Sequence, residues 1–163
     1  MSRKIILLFI VVVIITSGFL VLKKNNSGNQ SIIVDNDESD KESKEYVSEV
    51  LHFRVEYDKE FSVNENLGSI TFSNSEGEVL VNRNGTNFDN LDSYLKENQN
   101  HLSEILSSKE EMSVNGLDAV SGVIGNERIY FIYVSSAVYT FSTDSENLYE
   151  DLDKIVKSFE YIP

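Results

Sequence analysis

Hydrophobic and polar positions divide the chain into three textures. The first is an unbroken run, Ile5 to Leu22, of 18 residues without a charge. As a helix it would span about 27 Å, close to the ~30 Å hydrocarbon core of a bilayer. It is apolar all round, with no polar stripe to lie along a membrane surface. Arg3 and Lys4 precede it and Lys23 and Lys24 follow. The pattern predicts a single N-terminal transmembrane helix acting as a signal-anchor over residues 1–23. A cleaved signal peptide, releasing a secreted form, is the competing reading. It wants an apolar region of about 7–15 residues ending in a small-x-small site. Here the small pair Thr16 and Gly18 lies inside the run, with Phe19 to Leu22 still to come. The four-residue tail before the run is too short to hold a domain. The expected topology is therefore a single-pass protein of the cell membrane with its C-terminal domain extracytoplasmic.

The second texture covers residues 24–46, rich in Asn, Ser, Asp, Glu and Lys, with Ile32, Ile33, Val34 and Tyr46 the apolar exceptions. This composition predicts a disordered polar linker. Within it Asp35, Asp37 and Ser39 alternate as in a calcium loop, but Asp40 stands where such a loop needs Gly and Tyr46 where it needs Glu.

From Val47 to Pro163 the periods of strands and helices take over. Leu51, Phe53, Val55 and Tyr57 alternate with His52, Arg54 and Glu56, the mark of a half-buried strand. "SITFS" and "EVLVN" flank the turn-like "NSEG" and predict a hairpin. Phe88, Leu91, Leu95, Leu102, Ile105 and Leu106 then follow helical spacing, with Asn87 or Asp89 as cap. "EMSV" and "LDAVSGVI" meet at Asn115-Gly116, a type I′ signal. Gly125-Asn126 and Ser135-Ser136 join the next strands in the same manner. The run Ile129 to Val134 is greasy on both faces and predicts a central strand with cover above and below. A last helix opens at Asp144 or Ser145 and places Leu148, Leu152, Ile155 and Phe159 on one stripe, widened by Tyr149 and Val156. "FEYI" closes as a short edge strand. The sum is an α+β domain over residues 47–163, one antiparallel sheet with helices against its faces.

Charge changes the picture of partners. The whole chain carries −13. Its first 24 residues hold four bases and no acid, so −17 falls on the rest. Such a domain repels the phosphate backbone, which excludes nucleic acid; its acids either keep a small domain soluble and monomeric or attract cations or a basic protein or envelope component. Cysteine is absent, which excludes disulfides, thiolate metal sites and cysteine nucleophiles.

Candidate chemistry is sparse. His52 alternates outward on its strand and His101 sits on the polar margin of the first helix, with no spacing that makes either a metal ligand or a base. No nucleophile elbow or phosphate loop occurs. Glu110 with Glu111, and Glu150, Asp151 and Asp153, sit on stretches expected to be exposed and solvated. Neither catalytic, cofactor-binding nor metal-ligating residues are assigned. Tyr130, Tyr133 and Tyr139 on adjacent strands, with Tyr149 on the last helix, are the sharpest binding candidates, though a sheet–helix core uses tyrosine as well. The expected function is a binding or structural module rather than an enzyme; an envelope hydrolase whose carboxylates converge only in the fold is the alternative.

The phrases "LHFRVEYDKEFSV", "VNGLDAVSGV" and "LYEDLDKIVKSFEYIP" resemble the PsbP-like family, the extrinsic photosystem II subunit and its bacterial relatives. The resemblance spans about residues 48–163. It departs at Asp58, where relatives carry Pro after the Tyr and a Trp soon after; here Asp58-Lys59-Glu60-Phe61 stands instead. The resemblance implies an antiparallel sheet sandwiched between helices, an α/β/α arrangement. It implies no activity, because members of this fold serve different ends.

Overall fold

A computed structural model of the protein describes residues 42–97 and 106–163. The predicted membrane helix, the linker up to residue 41 and the stretch 98–105, which includes His101, lie outside the described residues. Among the described residues no helix is long and apolar enough to cross a membrane.

The chain order is β1 (Ser43–Ser48), β2 (Phe53–Asp58), β3 (Ser62–Asn66), β4 (Ser69–Asn74), β5 (Gly77–Gly85), α1 (Leu91–Glu97), β6 (Ser107–Val114), β7 (Leu117–Ile124), β8 (Glu127–Val134) and β9 (Ala137–Thr143). A 3-10 turn (Glu146–Leu148), α2 (Tyr149–Lys157) and β10 (Glu160–Tyr161) complete it. Seven strands form one sheet in the order β3-β4-β5-β9-β8-β7-β6, and three form another in the order β1-β2-β10. Every pairing is antiparallel. This is a sheet-rich α+β domain with few helices.

Two cores lie on opposite faces of the seven-stranded sheet. The larger fills the space between that sheet, the three-stranded sheet and α2, and is centred on Phe53, Phe72, Tyr139, Phe141 and Phe159. Phe53 stacks on Phe159 at 5.6 Å, and Tyr139 lies 5.1 Å from Phe159. The smaller sits under α1, where Leu91, Tyr94 and Leu95 meet Val120, Phe131 and Val138. Strand β8 feeds both: Tyr130, Ile132 and Val134 point to the larger core and Phe131 to the smaller, as its two-sided hydrophobicity predicts. From Leu51 through β2 the alternation is likewise realised in burial, with Leu51, Phe53 and Val55 buried and His52, Arg54 and Glu56 exposed, although the strand itself begins at Phe53.

Several expectations need correction. Strand β1, Ser43–Ser48, lies mostly inside the stretch 24–46 assigned to the linker. It is short on apolar residues because it is an edge, held to β2 by backbone pairing and to β3 by side-chain bonds. The single sheet between helices is instead two sheets: one face of the large sheet is covered by α1, the other by α2 together with β1-β2-β10. The cap of α1 is Asn90, whose Oδ1 accepts the Ser93 N–H at 2.8 Å, rather than Asn87 or Asp89. The Ser145 hydroxyl does not cap the last helical stretch; it donates to the Glu76 carbonyl at 2.8 Å. Asn115-Gly116 and Ser135-Ser136 take positive φ at both residues, as type I′ turns require, whereas in Gly125-Asn126 only the glycine does.

Candidate functional site

The sequence candidates do not converge. Alternation along β8 sends Tyr130 and Tyr133 to opposite faces of the large sheet. The Tyr133 hydroxyl donates to the Phe88 carbonyl at 2.8 Å, beside the smaller core. Tyr139 lies in the larger core, donating to the Leu51 carbonyl at 2.5 Å and accepting from Arg83 Nε at 3.1 Å. Burial, the main cause, pushes its pKa up against the opposing effect of Arg83.

Tyr130 and Tyr149 do meet, around Arg128. The guanidinium carbon lies 5.6 Å from the Tyr130 ring centroid and 5.3 Å from that of Tyr149. Arg128 Nη2 is 3.0 Å from Asp153 Oδ1 and donates to the Tyr130 hydroxyl at 2.9 Å. That hydroxyl donates to Asp153 Oδ1 at 2.5 Å, and the Tyr149 hydroxyl reaches the Asn126 carbonyl at 3.2 Å. Burial and the Asp153 bond push the Tyr130 pKa up to about 12. These contacts fasten α2 to β8. Arg128 escaped the sequence reading, yet Arg128 and Tyr130, two apart on a strand, necessarily share a face.

The acidic candidates part company too. Glu110 and Glu111 are exposed on β6, with Glu111 3.0 Å from Lys109. Glu150 is exposed on α2, but Asp151 is buried at 8 % exposure and Asp153 belongs to the Arg128 cluster, so neither is a freely solvated acid. Asp151 sits in the first turn of α2, where the helix dipole favours a carboxylate. His52 is exposed with φ +60°, and its carbonyl accepts the Ile162 N–H at 2.9 Å. Among the described residues no group of three or more His, Asp or Glu is arranged to hold a metal ion.

A concavity that the sequence does not announce lies between α1 and the β6–β7 hairpin. Its volume is about 660 Å³. Leu91, Leu95 and Val120 contribute to its apolar lining, and Asp92, Glu111 and Asp118 to its polar lining. Asp92 is bound to Lys96 at 2.7 Å, and that ion pair holds the Asp92 pKa below the ordinary carboxylate range.

No protein-family model matches the chain, and no curated protein does. Among solved structures the chain is similar to cyanobacterial PsbP (CyanoP) from Synechocystis sp. PCC 6803, determined in solution. The TM-score is 0.50 and the identity 12 %, with 85 % of this chain and 98 % of that one covered. The likeness is one of architecture, and it agrees with the resemblance carried by the three sequence phrases: the domain has a PsbP-like fold.

Proposed function

We propose that the chain is a membrane-tethered, extracytoplasmic binding module whose acidic domain recruits a basic protein or other basic envelope component. The observation that carries the reading is the charge balance. Outside the first 24 residues the net charge is −17, and much of the domain's own positive charge is already engaged. Arg54 pairs with Glu160, Lys59 with Glu42, Lys96 with Asp92, Lys109 with Glu111 and Arg128 with Asp153. The surplus carboxylates set a field that a basic surface meets first. The run Ile5–Leu22 supports the tether. A module is favoured over a hydrolase because Arg128, Tyr130 and Asp153 satisfy one another rather than facing an open reaction site.

The test is capture on the full-length chain from detergent-solubilised envelope at 0.1 M salt, repeated at 1 M. Over that range the Debye length falls from about 10 Å to about 3 Å. A basic protein retained at low salt and lost at high salt is the expected result. Equal recovery at both salts would overturn the electrostatic reading, and no capture would leave the acids as a solubility device. The tether has its own test. Carbonate-washed membranes should retain the full-length chain, whereas release of a shortened soluble form would show a cleaved leader.

A further inference from the structure

We propose that Asn115, in the β6–β7 turn, is a deamidation site, and that its conversion to aspartate or isoaspartate unfastens β10. The chain has two Asn-Gly pairs, Asn84-Gly85 and Asn115-Gly116. A glycine in that place leaves the backbone nitrogen uncrowded and the chain free to bring it against the asparagine side chain. Val114 pairs with Leu117, so Asn115 and Gly116 form the turn itself and stand outside the ladder. Both are exposed, and a Cβ on Gly116 would meet nothing within 4 Å. Of the two asparagines, Asn115 alone uses its amide to hold the fold. Its Nδ2 donates to the Phe159 carbonyl at 2.8 Å and to the Lys157 carbonyl at 3.4 Å. Lys157 ends α2 and Phe159 precedes β10. The exposed Asn84 side chain makes no hydrogen bond among the described residues. Water, the second reactant, reaches Asn115 through a hollow of about 650 Å³ lined by Asn115, Leu117, Glu160 and Tyr161.

Nothing is oxidised or reduced in the step. The Gly116 nitrogen gives its proton to hydroxide and bonds to Asn115 Cγ, the Cγ–Nδ2 bond breaks, and Nδ2 leaves as ammonia. Water then opens the five-membered imide at either carbonyl, giving aspartate or isoaspartate. The net change is one water in and one ammonia out. Asn115 must first let go of the Phe159 carbonyl, so conversion follows an opening of that contact. The product cannot close it again, because it has lost the donor. Its carboxylate would face two carbonyl oxygens at the C-terminal end of α2, where the helix dipole disfavours negative charge. It would also join Glu160 in the same hollow.

The test incubates the full-length chain in neutral detergent at 37 °C and mildly alkaline pH, for several half-lives of the peptide Ser-Val-Asn-Gly-Leu. Peptide mass, raised by the difference between OH and NH2, locates the conversion, and anion exchange separates the converted fraction. In that fraction the Ile162 N–H, bonded to the His52 carbonyl at 2.9 Å, should exchange with solvent at least tenfold faster than in the unconverted chain. Asn115→Asp should reproduce the gain, whereas Asn84→Asp, which adds the same charge, should change this exchange less than twofold. If Asn115→Asp does not fold, the converted native chain still supplies the measurement. Gly116→Asn places a residue that tolerates positive φ where φ is +84°. It crowds the attacking nitrogen and should slow conversion at Asn115 at least tenfold. An Asn115 amide intact at the end of the incubation would overturn the site, whether or not Asn84 has converted. Unchanged Ile162 exchange in the converted fraction would overturn the unfastening of β10. Conversion of Gly116→Asn at the native rate would overturn attack by that nitrogen.

Discussion

Tyr130 shows how much of this domain hangs on single buried hydroxyls. Its oxygen accepts from Arg128 and donates to Asp153, and its pKa is pushed up to about 12, first by burial and then by the Asp153 bond. A raised value means that the folded chain keeps this proton after the unfolded chain, with an ordinary value near 10, has lost it. The associated stability is therefore intact below pH 10 and lost as the pH rises from about 10 towards about 12. Urea unfolding between pH 9 and 12 should fall more steeply for the native protein than for Tyr130→Phe, which itself costs about 1 kcal/mol at pH 7. Parallel curves would show that Tyr130 does not carry this linkage. Gly122 makes a different single-residue case. A Cβ there would lie 2.5 Å from Leu106 Cγ and 2.9 Å from the Ser107 carbonyl oxygen. Glycine lets the start of β6 close over β7, so Gly122→Ala should cost about 1–3 kcal/mol by overpacking, read as a lower urea midpoint. A neutral or stabilising result would show that β6 shifts freely.

At the level of elements, the β8–β9 turn is correctly formed from poorly suited residues. Ser135 and Ser136 both hold positive φ, +49° and +59°, and L-residues other than Gly, Asn and Asp resist that region. Replacing the pair by Asn-Gly should raise stability by about 1 kcal/mol, measured by chemical denaturation; no gain would mean that Ser135 and Ser136 already hold this turn without strain. The turn also marks what a sequence makes legible. Two-residue connections, the alternation of Leu51, Phe53 and Val55 and the two-sided greasiness of Ile129–Val134 are local signals, and each element they predict is present. The division into two sheets is not local. The small sheet is completed by β10 pairing with β2, Glu160 opposite Arg54, across more than a hundred residues, and nothing in either stretch names the other. The concavity beside α1 was hidden for a related reason. Asp92, Glu111 and Asp118 come from three separate elements, and their approach follows from where α1 lands on the sheet. The tyrosines failed as a joint site because strand alternation, visible in advance, already sends Tyr130 and Tyr133 to opposite faces.

For the molecule as a whole, the decisive question is whether the polar stretch before Val47 contributes to the fold. Composition alone starts the fold at Val47, because Ser43, Lys44 and Glu45 look like the polar linker before them. Contacts reach back at least to Glu42, whose carbonyl accepts the Lys59 N–H at 3.0 Å. Strand β1 pairs with β2 along its full length, from Ser43 opposite Asp58 to Ser48 opposite Phe53. Tyr46 lies edge-on to Phe72 at 5.7 Å, and its hydroxyl donates to Glu65 Oε2 at 2.5 Å. The buried Ser48 hydroxyl donates to the other Glu65 oxygen at 2.9 Å and accepts the Leu51 N–H at 3.0 Å. These bonds tie the small sheet to the edge of the large one, and burial together with the Glu65 bond raises the Tyr46 pKa. Removing β1 strips the small sheet to β2 with the two-residue β10 and leaves the Leu51 N–H without its acceptor. At about 1 kcal/mol for each of the three side-chain hydrogen bonds, with the Tyr46–Phe72 contact added, the cost is on the order of 3–5 kcal/mol before the lost backbone pairing is counted. That is a large part of the stability of an ordinary domain. A chain begun at Glu42 should therefore unfold cooperatively at nearly the urea midpoint of the full-length protein, whereas one begun at Glu49 should unfold at much lower urea or fail to fold. Equal midpoints for the two truncations would show that β1 adds nothing to stability, and that the acidic domain's stability starts where its composition first changes.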